Sequence, residues 1–187
     1  MNHYERARLR RIADFCAGNT VLDIGYVQMP NPYLDRFQVT GVDIRKPTIP
    51  TPYRETWVLD AMELPGHLDG RVFDNIVAGE FIEHLERPYD FLRQTRPLLS
   101  PQGRIILSTP NPVAFPTLCF EWLCSKQFYY CSEHTYYFAP RWVERMLSRS
   151  GYLLQHLVPV GLWTPCGALP CPAGLSYQVI YVAQRYP

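Results

Sequence analysis

Short apolar runs alternate with polar connections along most of the chain. Runs of this kind, rich in branched residues and closed by a turn or an acid, are typical of buried strands in a parallel sheet. They lie at Thr20–Ile24, Gln38–Ile44, Glu55–Asp60, Val72–Ala78 and Gly103–Pro110. Strands separated by connections in this way predict an α/β fold with parallel pairing.

Helical spacing of apolar positions appears between and beside these runs. It predicts helices at His3–Ala17, Tyr33–Phe37, Tyr89–Leu99 and Pro140–Ser150. The connection Arg45–Arg54 contains three prolines, so we expect an extended crossover there instead of a helix.

The last third of the chain has a different pattern. Tyr152–Trp163 and Leu175–Ala183 predict two strands that are joined by the Pro- and Gly-rich turn Thr164–Gly174 and form an antiparallel closing pair. Before them, residues 113–138 are rich in aromatic side chains without a clear period. This segment is interpreted either as a lid or substrate wall, or as aromatic filler over one sheet edge.

Composition limits the class of protein. With 187 residues, 47% of them hydrophobic, residues 1–187 are expected to form a single domain with a sizeable core. The 18 Lys and Arg residues against 17 acids give a formal charge of +1, which disfavours nucleic acid and anionic membranes as partners. The N-terminal arginines Arg6, Arg8, Arg10 and Arg11 are interpreted as a solvated helix face.

Targeting and cysteine patterns indicate a cytoplasmic protein. No apolar run reaches the roughly 18–20 residues that a membrane span needs, and the N-terminus has no apolar signal-peptide core. The six cysteines do not form the closely spaced pairs of structural zinc sites, so free thiols are expected.

Polar residues that end the first three strands carry the candidate chemistry. Asp23 and Gly25 close the first strand, and ligands of open α/β sheets bind outside such carboxyl ends. Asp43 ends the second strand about 20 residues later, where a carboxylate can accept hydrogen bonds from both hydroxyls of a ribose. Asp60 follows the third strand. Each acid could instead cap a helix or turn.

Several blocks, taken in order, resemble the class I S-adenosylmethionine-dependent methyltransferases over nearly the whole chain. They are Val21-Leu22-Asp23-Ile24-Gly25, Gly41-Val42-Asp43, Asp60-Ala61, Phe73-Asp74-Asn75-Ile76-Val77, Glu83-His84-Leu85, Leu98-Leu99-Ser100-Pro101-Gln102-Gly103-Arg104, Ser108-Thr109-Pro110-Asn111 and the stretch His134–Gly151. The resemblance implies a doubly wound, mostly parallel seven-stranded sheet with an antiparallel last strand, which is the Rossmann-like methyltransferase fold.

The resemblance also implies a set of cofactor contacts. Asp23 and Gly25 would face the amino-acid part of S-adenosylmethionine, Asp43 would hold the ribose, and Asp60 with Ala61 would lie at the adenine. Glu80 would lie near the methionine part. The expected cofactor-binding residues are Asp23, Gly25, Tyr26, Asp43, Ile44, Asp60, Ala61 and Glu80.

The chain departs from the family pattern directly after Gly25. Further glycines usually follow, whereas Tyr26-Val27-Gln28-Met29-Pro30 stand here. Such a loop either binds the cofactor through its backbone or narrows the pocket, as in a relative that has lost catalysis.

A second cluster follows the fourth strand. Glu80, Glu83 and His84 would share one face if they began a helix. With His134, this pattern looks like the divalent-metal site of RNA 2′-O-methyltransferases and ubiquinone-pathway O-methyltransferases. We do not assign a metal: the set Glu80, Glu83, His84 and His134 stays an alternative, beside general-base catalysis by His84 or His134 and a structural role.

The function expected from these observations is methyl transfer from S-adenosylmethionine to oxygen or nitrogen of a small-molecule acceptor, with His84, His134 and Glu80 as candidate catalytic residues. Methyl transfer needs mainly proximity and alignment, so an obvious base is not required. Two alternatives remain: a catalytically degenerate binding module with this fold, and a metal-dependent RNA 2′-O-methyltransferase. The acceptor and the oligomeric state do not follow from the sequence.

Overall fold

A computed structural model describes residues 1–48, 50–68, 70–123, 132–165 and 167–186. Its strands are β1 Thr20–Ile24, β2 Gln38–Asp43, β3 Glu55–Val58, β4 Phe73–Gly79, β5 Leu99–Pro110, β6 Tyr152–Pro159, β7 Leu162–Thr164, β8 Gly167–Leu169 and β9 Gln178–Arg185. The α-helices of these residues are α1 His3–Phe15, α2 Leu64–His67, α3 Pro88–Thr95, α4 Phe115–Leu123 and α5 Pro140–Arg149.

Seven of the strands form one sheet in the order β3-β2-β1-β4-β5-β9-β6. The pairs β1–β2, β1–β4, β2–β3 and β4–β5 are parallel, whereas β9 lies antiparallel between β5 and β6. This confirms the predicted Rossmann-like methyltransferase fold with its antiparallel last strand. The strand order changes direction at β1, whose neighbours are β2 and β4, and such a switch point is where open α/β sheets bind ligands.

Successive side chains of each strand point to opposite faces of the sheet, which gives two apolar cores. On one face, Val21 of β1 packs in a cluster with Ile12 of α1. On the other face, Leu22 belongs to a cluster that includes Phe91 of α3 and Leu147 of α5. Because β1 is buried on both faces, its sequence is an uninterrupted apolar run up to Asp23.

The structure corrects several predicted element bounds. The helix expected at residues 33–37 is only a 3-10 turn, Pro32–Leu34, with Pro at its start. The third strand ends at Val58, and the fifth begins at Leu99. The predicted turn of residues 164–174 contains a hairpin partner, β8, which pairs with β7 outside the main sheet.

The aromatic segment of residues 113–138 is described only in part. Phe115–Leu123 form helix α4, in which Thr117 is buried while Trp122 is 85% exposed. Residues 124–131 lie outside the described residues. Residues 132–138 contact the turn that follows β4, where the Thr135 and Tyr136 amides donate to the Glu83 carbonyl.

The structure corrects the interpretation of the N-terminal arginines, while the described cysteines are the expected free thiols. Arg6 and Arg10 are exposed, but Arg8 is 4% exposed, so the interpretation of a solvated arginine face is wrong for Arg8. Cys16, Cys119 and Cys171 are free thiols, while Cys124, Cys131 and Cys166 lie outside the described residues. Within the described part of the chain, no helix combines the length and apolarity needed to cross a membrane.

Candidate active site

A cavity of about 180 Å³ lies at the carboxyl ends of β1 and β4, against helix α1 and the start of β9. Its polar lining includes Arg8, Asp23, Glu80 and Gln178, and Gly25 contributes backbone. It therefore opens at the strand ends beside the switch point, where Asp23 and Gly25 were expected to meet a ligand.

Asp23 lies at the base of this cavity and is 5% exposed. Its carboxylate accepts a hydrogen bond of 2.6 Å from the Tyr53 hydroxyl. Burial raises the pKa of Asp23 from its ordinary value of 3.8 to about 7, although the Tyr53 hydroxyl and the Arg8 guanidinium act in the opposite direction. A cationic group that enters the cavity would favour the ionised carboxylate.

Gly25 adopts a left-handed backbone with φ of 76° and donates its amide to the Val42 carbonyl at 2.8 Å. A Cβ atom at this position would lie 2.6 Å from the Phe81 ring. Both the backbone conformation and the close ring therefore require glycine. The result is that the chain after β4 packs directly on the chain after β1.

Glu80 directly follows β4 and also has a left-handed backbone, with φ of 52°. Its carboxylate accepts hydrogen bonds from the Ser108 hydroxyl at 3.1 Å and from Gln178 Nε2 at 2.8 Å. Burial raises the pKa of Glu80, and the Arg8 guanidinium opposes that shift. The expected helical face with Glu83 and His84 does not form, because the chain turns at Glu80 and continues only as the 3-10 turn Ile82–His84.

Arg8 is the site residue that the sequence interpretation missed. It donates to the Glu5 carboxylate at 2.7 Å and to the Ser108 hydroxyl at 3.0 Å, and it lines the cavity. Its position beside Leu9 and Ile12, on the buried stripe of α1, was the signal that could have revealed it. A guanidinium beside the carboxylates of Glu5, Asp23 and Glu80 suits the cavity to a group that carries both positive and negative charge.

The other expected cofactor residues lie towards β2 and β3. The Asp43 carboxylate accepts hydrogen bonds from the backbone amides of Val27 at 2.9 Å and Arg45 at 2.8 Å. Ile44 is 67% exposed. Asp60 caps a 3-10 turn by accepting from the Met62 amide at 2.8 Å, and Ala61 behind it is buried. Asp43 is buried, but Ile44 and Asp60 are exposed, so this end of the site is more open than the cavity around Asp23.

The loop Tyr26–Pro30, which lacks the expected glycines, packs against the ends of β1 and β2. Tyr26 lines the cavity and is 2% exposed, because its ring packs on the Tyr53 ring at 5.1 Å between centroids. The Val27 amide reaches Asp43, so the backbone of this loop spans the ends of β1 and β2. The Tyr26 ring is buried in the core beside the cavity, and Gln28 and Met29 of the same loop also line the cavity.

Glu83, His84 and His134 form a separate group, with one potential ligand atom from each within 4.8 Å of the others. The two imidazole rings meet edge to face at 4.7 Å, and burial together with His84 lowers the pKa of His134. Backbone contacts hold the group: Thr135 and Tyr136 donate to the Glu83 carbonyl, and His84 Nδ1 lies 2.9 Å from the Glu133 carbonyl. Glu80 is not part of this group.

The fold, with a switch-point cavity and acids at successive strand ends, defines the class I S-adenosylmethionine-dependent methyltransferases. Residues 1–157 match the family model described as a methyltransferase domain, and the chain belongs to that family. The protein is accordingly a methyltransferase, and S-adenosylmethionine is the cofactor of its class.

Solved structures support the fold. A SAM-dependent methyltransferase from Archaeoglobus fulgidus is 20% identical, with a TM-score of 0.74 over 96% of this chain and 92% of that one. A SAM-dependent methyltransferase from Thermotoga maritima, described as a possible histamine N-methyltransferase, is 15% identical, with a TM-score of 0.76 over 98% and 89%.

A third structure contains ligands. It is the 1,6-didemethyltoxoflavin-N1-methyltransferase of Burkholderia thailandensis with 1,6-didemethyltoxoflavin and S-adenosylhomocysteine, 16% identical, with a TM-score of 0.67 over 98% of this chain and 80% of that one. No curated protein sequence matches the chain.

Proposed function

We propose that this protein transfers the methyl group of S-adenosylmethionine to an oxygen or nitrogen atom of a small-molecule acceptor. The observation that carries the proposal is the cavity at the ends of β1 and β4, where Arg8, Asp23 and Glu80 converge beside Gly25. A cofactor whose amino-acid end carries an ammonium and a carboxylate matches this combination of charges.

The size of the cavity decides which part of the cofactor it takes. Pockets for complete small-molecule ligands usually measure about 300–1,000 Å³, so a cavity of about 180 Å³ suits only the amino-acid end. In our proposal Asp23 and Glu80 receive the ammonium and Arg8 the carboxylate. The adenosine then lies across the open strand ends, where Asp43 binds the ribose and Asp60 faces the adenine with Ile44 and Ala61 beside it.

The chemistry asked of the protein is mainly alignment. When bound, S-adenosylmethionine supplies a methyl group on a sulfonium. Glu83 and His84 lie on the turn that follows Glu80, and the His134 ring packs against His84, so in our proposal this group borders the acceptor. His134 is the candidate base that receives the acceptor's proton, because its lowered pKa favours the neutral imidazole near pH 7.

A small acceptor fits the electrostatics better than RNA does. The formal charge of +1 offers no broad attraction to a polyanion. Two of the structural neighbours carry small molecules in their names, histamine and 1,6-didemethyltoxoflavin. These neighbours support a small acceptor for this chain without identifying it.

Isothermal titration calorimetry with S-adenosylmethionine tests the proposal. Wild-type protein is expected to bind, and Asp43→Ala to bind about 10- to 100-fold more weakly, because it loses a ribose contact and the support of the Val27 amide. Asp14→Ala, an exposed change on α1, is the control and is expected to bind normally. If millimolar cofactor produces no binding to the wild type, the enzyme proposal fails and a binding module with this fold remains.

A second candidate is metal-dependent transfer, and the proximity of Glu83, His84 and His134 favours it. A carboxylate and two imidazoles suit ions such as Mn²⁺, which would lower the pKa of an acceptor hydroxyl. Calorimetric titration of the free protein with Mn²⁺ separates the two proposals. Mn²⁺ binding to the wild type that is abolished in His134→Ala would support metal-dependent transfer. Methyltransferase activity that persists in excess chelator would exclude it and leave general-base catalysis.

A further inference from the structure

The segment between β2 and β3 performs a second task besides connecting them. It contains no helix among its described residues, and its end brings Tyr53 back beneath the loop that follows β1. Tyr53 is 9% exposed, so its hydroxyl is delivered to the interior close to the cavity. The extended, proline-rich connection therefore places the Tyr53 side chain next to the cavity.

The Tyr53 hydroxyl connects two parts of the site. The Asn31 amide donates to the Tyr53 oxygen at 2.9 Å, and because that amide can only donate, the hydroxyl proton of Tyr53 points to Asp23 at 2.6 Å. Asn31 also donates its side-chain amide to the Leu9 carbonyl of α1 at 2.9 Å. One hydroxyl thus joins the buried acid, the far end of the loop and the helix that carries Arg8.

Gly41 makes room for this arrangement. A Cβ atom on Gly41 would lie 2.7 Å from the Tyr26 ring and 2.8 Å from the Tyr53 ring. The two rings therefore occupy the space beside β2 that any larger residue would fill. The loop Tyr26–Pro30, which lacks the glycines of the family pattern, is therefore held in place by the packing of Tyr26 on Tyr53.

We infer that Tyr53 is a positioning residue for the cofactor: its hydroxyl fixes the Asp23 carboxylate and the Asn31 amide at the cavity, so that Asp23 can receive the cofactor's ammonium group. This inference rests on the proposed function, because it takes the cavity to be the amino-acid end of the S-adenosylmethionine site. Tyr53 itself does not touch the reacting atoms.

The charged and titratable groups around Asp23 come from every element packed against the cavity. Arg8 and Glu5 lie on α1, Cys16 follows α1, Asp43 ends β2, and Glu80 follows β4, with Tyr26 and Tyr53 in the two loops. Arg8 favours the ionised form of Asp23, whereas Asp43 disfavours it. The Tyr53 hydroxyl adds a hydrogen bond that favours the ionised form.

The free protein provides the first test, which needs no cofactor. Unfolding in urea is measured from pH 4 to 9 for wild type, Tyr53→Phe and the control Tyr33→Phe, whose half-buried ring lies in the connection between β1 and β2. In wild type the stability contribution of Asp23 declines with rising pH until about pH 7. In Tyr53→Phe, which lacks the hydroxyl, the pKa of Asp23 is expected to rise further, so the decline in the free energy of unfolding should end about one pH unit higher than in wild type. This displacement is expected to vanish in an Asp23→Asn background.

Cofactor binding provides the second test. A pKa of Asp23 raised by about one unit leaves roughly one tenth of it ionised at pH 7, instead of about one half, so Tyr53→Phe is expected to bind S-adenosylmethionine about fivefold more weakly. Methylthioadenosine, which lacks the amino-acid end, is expected to bind both proteins equally. Tyr33→Phe is expected to bind both ligands as the wild type does.

Each outcome has a distinct meaning. The positioning role is overturned if the decline in stability ends at the same pH in Tyr53→Phe as in wild type. It is also overturned if Tyr53→Phe weakens the binding of S-adenosylmethionine and of methylthioadenosine equally, which would leave Tyr53 with a packing role alone. If wild type fails to bind S-adenosylmethionine at any pH, the proposed function fails. A decline in stability that ends at a higher pH in Tyr53→Phe would still establish that the Tyr53 hydroxyl lowers the pKa of Asp23.

Discussion

The two ends of the site contrast in how their acids are held. At the end of β1, Asp23 is buried beside Glu80 and Arg8, and its proton equilibrium is displaced by burial. At the ends of β2 and β3, Asp43 and Asp60 are held by backbone amides; Asp43 is buried as well, at 9% exposed, whereas Asp60 is open to solvent. The same residue type is therefore held by a side-chain hydroxyl in the cavity at one end and by backbone amides at the other.

The difference follows from the neighbouring elements. Helix α1 covers the ends of β1 and β4 and carries Arg8 into the interior. No helix of the described residues connects β2 to β3, so nothing comparable covers Asp60. If this contrast is correct, changes at the covered end should alter stability and pH dependence, and changes at the open end should alter mainly local structure and ligand affinity.

The largest expected effect is the pH dependence that Asp23 contributes. Its folded-state pKa of about 7 lies above the ordinary value of 3.8, so between these values the folded protein holds a proton that the unfolded chain has lost. The stability that Asp23 contributes is therefore full below about pH 4 and is lost as the pH rises to about 7, by on the order of 4 kcal/mol.

Urea unfolding from pH 4 to 8 measures this effect. Asp23→Asn should remove the fall in the free energy of unfolding that Asp23 causes, because the amide keeps an acceptor for Tyr53 and cannot ionise. The exposed change Asp14→Asn is the control. A parallel pH dependence in wild type and Asp23→Asn would show that Asp23 is already ionised in the folded protein.

Arg8 should have the next largest effect. Arg8→Met removes the cation from a cavity that contains the carboxylates of Glu5, Glu80 and Asp23, and it should lower the free energy of unfolding by about 3 kcal/mol at pH 7. Arg10→Met, on the exposed side of the same helix, should change it by less than about 0.5 kcal/mol. Equal effects of the two changes, measured by urea unfolding, would contradict the burial of Arg8.

The smallest effect is expected at the open end. Asp60→Ala removes the cap on the 3-10 turn Ala61–Glu63 and should lower the free energy of unfolding by about 1 kcal/mol or less. Asp60→Asn should retain most of the cap. The comparison between the ends would fail if Asp60→Ala destabilised the protein as strongly as Arg8→Met does.

Much of the fold was predictable because strand and helix periods are local. The five parallel strands, the helices α1, α3 and α5 and the antiparallel closing pair follow from apolar patterns and turn residues. The acids Asp23, Asp43 and Asp60 were found because a strand end is recognisable in sequence. The condition that Glu80, Glu83 and His84 begin a helix is not met, since the left-handed turn at Glu80 depends on hydrogen bonds to β5 and β9 and not on local propensity.

The sequence by itself determined the order of strands and helices, the class of fold and the acids at the strand ends, because these depend on side-chain periodicity and short motifs. Only the tertiary structure decided that Arg8 enters the cavity, that Glu80 separates from Glu83 and His84, and that Tyr53 reaches Asp23. These contacts join residues distant in sequence, and their energies come from burial and hydrogen-bond geometry, which no local pattern encodes.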